Sequence, residues 1–191
     1  MVAIVAAGEY QFGAAAGRML ICTYRTGLGA RAGHDLVIEV GSWQGSARIG
    51  SDATDSSVTV SVEADSFVVQ EGRGGLKPFT GADRDEIRRT IRKILDTADH
   101  PEITFRSTAI SGAPDDLNVV GELMIRAAAV PVTVTGSLEE SADGPRLRAT
   151  AQVVQSAWGI RPYTAFLGAL KLRDAVDIEI EATLAPAGPP G

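Results

Sequence analysis

GGLKPFTGADRDEIRRTIRKILDTADHPEITFRS, residues 74–107, decides how the rest of this chain is read. It carries the longest helical pattern of a sequence otherwise dominated by strand-like alternation. The pattern predicts a helix over 83–97. Asp83 is placed to accept from the first turn, and Glu86 three residues on completes a capping box. Ile87, Ile91, Ile94 and Leu95 then recur at i, i+4, i+7 and i+8 and draw one apolar stripe. Acidic Asp83, Asp85 and Glu86 precede basic Arg88, Arg89, Arg92 and Lys93, the order the helix dipole favours. Pro101 ends any continuation, and Ile103 opens a strand. A helix with a single stripe has to lie on something, and its neighbours predict a sheet.

Outward from that stretch the chain alternates. Val58, Val60, Val62 and Ala64 interleave with Thr59, Ser61, Glu63 and Asp65, a strand with one wet face. Leu36, Ile38 and Val40 are predicted to pair with Trp43–Ile49 as a hairpin across Gly41-Ser42. Short runs at Glu9–Phe12 and Arg18–Thr26 are strand-like, the second alternating poorly. Further strands are expected at Ile103–Ile110, Leu117–Arg126, Val130–Glu139, Arg146–Gln155 and Val176–Leu184, with a loop over Glu71–Gly81 and a short helical or loop insertion near 158–170. The fold class is therefore mainly β: an antiparallel barrel of about eight strands with one main helix. A barrel removes exposed edges, and a sandwich is the competing architecture.

With 191 residues the chain suits one domain, expected over 1–184, with 185–191 a disordered tail. A net charge of −6 argues against a dedicated nucleic-acid binder. Cys22 is the single cysteine, so no internal disulfide forms. The opening MVAIVAAGEY lacks a basic n-region, and no run is long enough to span a bilayer. Together these give an expected cytoplasmic location. His34 and His100 are the only histidines, so a histidine-rich metal site is excluded and no cofactor is implied.

Three segments carry a family resemblance. TADHPEITFRST (97–108) is similar to the YP-x-ITF-x-ST strand entry of the YceI-like, polyisoprenoid-binding family. NVVGELMIRAAAVPVTVTGSL (118–138) resembles its G-x-L-T-I-x-G-x-x-x-P-V strand pair, and WGIRPYTAFLGALKLRDAVDIEIEATL (158–184) resembles the ending of some members. The chain departs at Arg126, where many members have histidine, and at Ile94-Leu95, where many have Phe-Phe. The resemblance implies a lipocalin-like barrel whose elongated apolar cavity takes an isoprenoid chain, with no catalysis.

The residues bear on a cavity by themselves. Dry-face alternation gives Val119, Gly121, Leu123, Ile125, then Val132, Val134, Gly136, Leu138, then Leu147, Ala149, Ala151, Val153, with small residues near the middle of each run. A barrel of about eight strands holds packed side chains or one ligand. Small inward residues favour the ligand; alternatively the glycines relieve strain where strands curve.

Two loops repeat a pattern. Gly75-Leu76-Lys77-Pro78-Phe79-Thr80 matches Gly159-Ile160-Arg161-Pro162-Tyr163-Thr164 in residue class at every position. Lys77 and Arg161 could hold an anionic headgroup, with Phe79 and Tyr163 over the first part of an apolar chain. The competing reading makes both loops helix-entry turns with Thr80 and Thr164 near N-caps. The expected ligand-binding set is Lys77, Phe79, Phe105, Gly121, Leu123, Val134, Gly136, Ala149, Ala151, Trp158, Arg161, Tyr163 and Phe166. An enzyme using His34 beside Asp35 is the first rival, although neighbours on a strand face opposite ways. A filled barrel that binds protein partners is the second. Transient membrane contact, for which the basic face of the helix is one candidate, and homodimerisation stay open.

Overall fold

The computed structural model describes residues 5–188. In chain order the elements are β1 (Gly8–Gly13), β2 (Gly17–Thr23), β3 (Arg25–Thr26), β4 (Asp35–Val40), β5 (Trp43–Ile49), β6 (Ser57–Glu63) and β7 (Phe67–Arg73). Helix α1 (Gly81–Leu95) follows, then β8 (Glu102–Ala113), β9 (Asp116–Ile125), β10 (Ala128–Glu139) and β11 (Arg146–Val154). The chain ends with β12 (Thr164–Ala165), β13 (Leu170–Leu172), β14 (Ala175–Thr183) and β15 (Ala185–Pro186). Twelve strands form one antiparallel sheet in the order β15-β1-β5-β6-β8-β9-β10-β11-β14-β2-β4-β7. Strands β12, β13 and β3 form a small second sheet.

That order forces curvature. β5 stands third and β4 eleventh, eight strand spacings apart, roughly 38 Å in a flat sheet. Only Gly41 and Ser42 connect Val40 to Trp43, a link of about 10 Å at most. The sheet must therefore curl until β4 and β5 come close together. The connection between β6 and β7 makes the same crossing, and the two are tied together. Gly41 N–H donates to the Ser66 carbonyl at 2.9 Å, and Glu63 N–H donates to that of Ser42 at 3.0 Å. The result is the mainly β, lipocalin-like barrel with one main helix that the alternation and the resemblance predict, with more strands than eight.

Three local expectations need correction. Gly41-Ser42 is not a hairpin turn: β4 pairs with β2 and β7, and β5 with β1 and β6. The length of the link suits a hairpin, but it joins opposite ends of a curled sheet. Residues 67–73 form the edge strand β7, where no strand was expected and 71–73 were read as loop. The tail is ordered through Ala187: Tyr10 and Gln11 of β1 pair with β15, and Ala187 N–H donates to the Glu9 carbonyl at 2.8 Å. Residues 189–191 lie outside the described residues.

The helix starts earlier than Asp83. Thr80 is its N-cap, accepting from Asp83 N–H at 3.3 Å, while the Asp83 carboxylate accepts Thr80 N–H at 2.7 Å. The capping box is thus Thr80 with Asp83, one turn before the Asp83 with Glu86 of the sequence reading. Asp96, with φ of 52°, ends α1 in the left-handed region, so 96–97 lie outside it. The stripe is as expected: Ile87, Ile91 and Leu95 pack toward the main core, and Ile94 with Leu95 toward a second cluster around Trp158.

Helix α1 also protects an edge. β7 is the last strand of the sheet, and its free carbonyls would template another strand. Arg84 donates from Nε to the Val69 carbonyl and from Nη2 to that of Gln70, both at 3.2 Å. The same guanidinium lies 4.9 Å from the centre of the Phe79 ring.

Candidate functional site

The inward residues of this curled sheet leave a cavity of about 790 Å³. That lies within the range of about 300–1,000 Å³ usual for small-molecule sites. Its wall is continuous and apolar. Val132, Val134 and Leu138 of β10 and Leu147, Ala149, Ala151 and Val153 of β11 face it, as the alternation predicts. Val119, Leu123 and Ile125 of β9 and Val176, Ile178 and Ile180 of β14 do the same. The stripe of α1 closes one side, since Ile87, Ile91, Ile94 and Leu95 all line the space. None of the α1 residues is fully buried, because their packed face looks onto a hollow.

Most polar groups on the wall lie at two places, with Thr23, Gln155 and Tyr163 outside both. His34, Asp83, Glu86 and Thr90 lie where α1 begins; Arg48, Ser51, Asp52, Ser56 and Ser57 lie around the β5–β6 turn. The Asp83 carboxyl is held below the usual carboxylate range, chiefly by hydrogen bonds from the Thr80 side chain and backbone. Thr23 stands apart. It is buried, lines the cavity, and its hydroxyl has no hydrogen-bond partner among the described residues. Trp43 Nε1 is likewise unpartnered, but it does not line the cavity.

Of the expected ligand-binding residues, Phe79, Phe105, Leu123, Val134, Gly136, Ala149, Ala151, Tyr163 and Phe166 line this one space. Lys77 and Arg161 are exposed and do not. No anionic headgroup inside the cavity meets that pair, and the ionisable side chains lining the α1 end include the carboxylates of Asp83 and Glu86. Trp158 is also off the wall. It is buried against Ile125, Val132, Val153, Ile160 and Val176, and its Nε1 donates to the Leu123 carbonyl at 3.1 Å, a structural anchor. Gly121 does not line the cavity. A Cβ there would meet the Phe105 ring and come 2.5 Å from the Arg106 carbonyl oxygen. At Gly136 it would come 2.5 Å from the Arg148 carbonyl oxygen. Both glycines permit close approach of neighbouring strands, a reason different from either explanation open from sequence, although Gly136 also lines the cavity.

The repeated loops resolve differently. Thr80 caps α1, whereas Thr164 begins the two-residue strand β12 and caps nothing. His34 and Asp35 form no dyad. His34 Nε2 meets the Lys77 carbonyl at 2.9 Å and its ring lies 5.2 Å from that of Phe79. The Asp35 carboxylate accepts Arg25 N–H at 2.8 Å and lies 3.7 Å from its Nε.

Sequence reasoning missed one wall. Met19, Ile21 and Thr23 of β2, with Leu36 and Ile38 of β4, line the cavity. The alternation is present, but Leu20 and Cys22 on the other face are also apolar and blur it. No helix among the described residues is long and apolar enough to cross a membrane.

Comparison with known proteins is consistent with this geometry. The family model described as YceI-like domain matches residues 24–184. A curated relative, Protein YceI of Escherichia coli O17:K52:H18 (strain UMN026 / ExPEC), is 36% identical over 64 residues. That match covers 34% of this chain and 33% of the relative, about a third of its length. Among solved structures, Burkholderia cenocepacia BcnA superimposes with a TM-score of 0.67 at 16% identity, covering 88% of this chain and 96% of that one. A Campylobacter jejuni YCEI protein gives 0.58 at 10% identity, covering 80% and 85%. At these identities the two structures speak for the fold.

Proposed function

The chain belongs to the YceI-like domain family, and from that premise we propose that it binds, carries or sequesters one apolar molecule, an isoprenoid or similar lipid, without chemistry. The observation that carries the reading is the apolar wall: sheet and helix residues enclose about 790 Å³ and leave it unfilled. Burial is the mechanism. Each methylene taken out of water contributes about 0.8 kcal/mol, so a prenyl chain offsets the cost of its own ordering. The enzyme alternative loses its candidate pair, because His34 and Asp35 are each engaged elsewhere. A cytoplasmic site of action is part of the reading, supported by the unpaired Cys22; cell fractionation tests it.

The test of the binding reading is extraction of the purified protein with organic solvent, mass analysis of the extract, and titration of the stripped protein with a fluorescent prenyl alcohol. One apolar molecule per chain, or saturable one-to-one binding of the probe, is expected. An empty extract together with no probe binding overturns the reading.

A further inference from the structure

A chain of contacts joins the two repeated loops to a third beside the cavity. Leu76 and Lys77 follow Gly75, which packs on the His34 ring, and His34 follows Gly33, which packs on Leu170. Leu170 follows Ala169, whose carbonyl accepts Gly29 N–H at 2.9 Å, and Leu172 N–H donates to the Tyr163 carbonyl at 2.9 Å, which ties in the second repeated loop. Phe79, His34, Phe166 and Leu170 all line the cavity, and Phe166 is exposed as well, so this surface, a rim of loops, adjoins the cavity wall.

The rim is apolar where a soluble surface is usually polar. Leu28 is 103% exposed, Leu167 110%, Leu76 77% and Phe166 66%. Scattered single leucines need no explanation, but four large apolar side chains on one linked set of loops do. Two of them sit on unfavourable backbone: Phe166 and Leu167 have φ of 51° and 54°. Bulky residues adopt that region rarely, and where they do the strain is a pointer to function. Burial of their side chains does not hold them there, because both are exposed.

The rim also carries exposed cations. Arg31 lies in the 3-10 turn of residues 30–32, Lys77 and Arg161 occupy the equivalent places of the repeated loops, and the Lys171 side chain runs past Gly168. Among the described residues none of the four forms an ion pair, whereas Arg25, Arg73, Arg92, Arg146 and Arg148 do.

We propose that this rim docks on an anionic lipid bilayer, with Leu28, Leu76, Phe166 and Leu167 entering the headgroup layer and Arg31, Lys77, Arg161 and Lys171 meeting lipid phosphates. Apolar insertion and electrostatic attraction together give interfacial binding. The net charge of −6 opposes it, but charges beyond about 8–10 Å are screened at ordinary salt, so the local cations decide. The cavity then opens against the membrane, and an apolar cargo passes without crossing water. The two cations that face no headgroup inside the cavity thereby find one outside it. The inference extends the carrier reading and is tested without cargo, so either can fail alone.

Flotation of the protein with phosphatidylcholine vesicles, with and without phosphatidylglycerol, reads the docking. The parent is expected to partition at least about tenfold more strongly onto the anionic vesicles, with each cation worth about a fivefold factor. Leu28→Ser with Leu167→Ser lowers partition about tenfold or more. Arg31→Gln, Lys77→Gln, Arg161→Gln and Lys171→Gln together abolish the preference for phosphatidylglycerol. Both variants change exposed side chains and retain the parent's circular dichroism and its affinity for a prenyl probe in the absence of vesicles. A parent that floats with neither vesicle overturns the proposal. So does equal partition of the leucine variant and the parent, or a stable homodimer in which Leu28 and Leu167 are buried.

Discussion

The imidazole of His34 and the backbone carbonyl of Lys77 meet at 2.9 Å, joining the start of β4 to the loop that leads into α1. This is a tether. His34→Ala leaves that carbonyl to solvent and frees the 74–79 loop. We expect faster proteolysis within 74–79 and faster amide exchange at the start of α1, with a small change in global stability. Unchanged exchange there would show that the Phe79 ring and the Arg84 contacts hold the loop without His34.

Ala151 faces the cavity from β11 and is half-buried. Ala151→Phe puts a ring into that space. Affinity for a prenyl probe should fall at least about tenfold, with the melting temperature retained or raised, since filling a hollow adds contacts without forcing backbone. Gly136 is the wrong position for this experiment, because its Cβ would strike the Arg148 carbonyl. A folded Ala151→Phe that binds the probe as the parent does would place the ligand elsewhere.

Ile91 lies on the α1 stripe that lines the cavity and is only half-buried. Ile91→Ala should therefore cost about 1–2 kcal/mol in urea unfolding, below the 2–5 kcal/mol of a closed core. A loss in the higher range would indicate that the side chain is packed, and the hollow smaller than described.

Thr23 carries a buried hydroxyl with no partner among the described residues. Thr23→Val keeps the shape and removes the desolvated group. The stripped protein should gain about 1 kcal/mol. Destabilisation on the same scale would reveal a partner for the hydroxyl, such as an ordered water.

Acid should weaken the fold in a defined direction. Asp83 and Glu181 both titrate below the ordinary carboxylate range, Asp83 through its bonds from Thr80 and Glu181 through Arg148 and Arg146. A carboxylate with a depressed folded pKa contributes stability that is complete above its unfolded pKa, near 4, and is lost as pH falls through the folded value. Melting temperature should drop as pH falls below about 4, and the drop should be shallower in Asp83→Asn with Glu181→Gln. An identical acid limb in parent and variant would assign the loss to other carboxylates.

The inward faces of β9, β10, β11 and β14 were legible because an antiparallel strand with one solvated face records that face at every second residue. Val132, Val134, Ala149 and Ala151 are where alternation puts them. Strand β7 was not legible, since Gln70, Glu71 and Arg73 make its second half polar and only the pairing with β4 makes it a strand. The turn at Gly41-Ser42 misled because a hairpin and a corner between distant strands can have the same length. Lys77 and Arg161 are a different case. Their loops do meet the cavity through Phe79 and Tyr163, but whether a long cation turns inward or outward is not written in the spacing of its neighbours.

The strand order has a consequence for synthesis of the chain. β2 bonds only to β4 and β14 within the main sheet. Emerging early from the ribosome, it must wait for residues 175–183, nearly the whole chain, before its second edge is satisfied. Until then the apolar residues Met19, Ile21 and Ile38 stand on an unfinished surface, and such delayed long-range pairing is slow and open to aggregation. The cavity wall is completed only when β14 joins β11 on one side and β2 on the other.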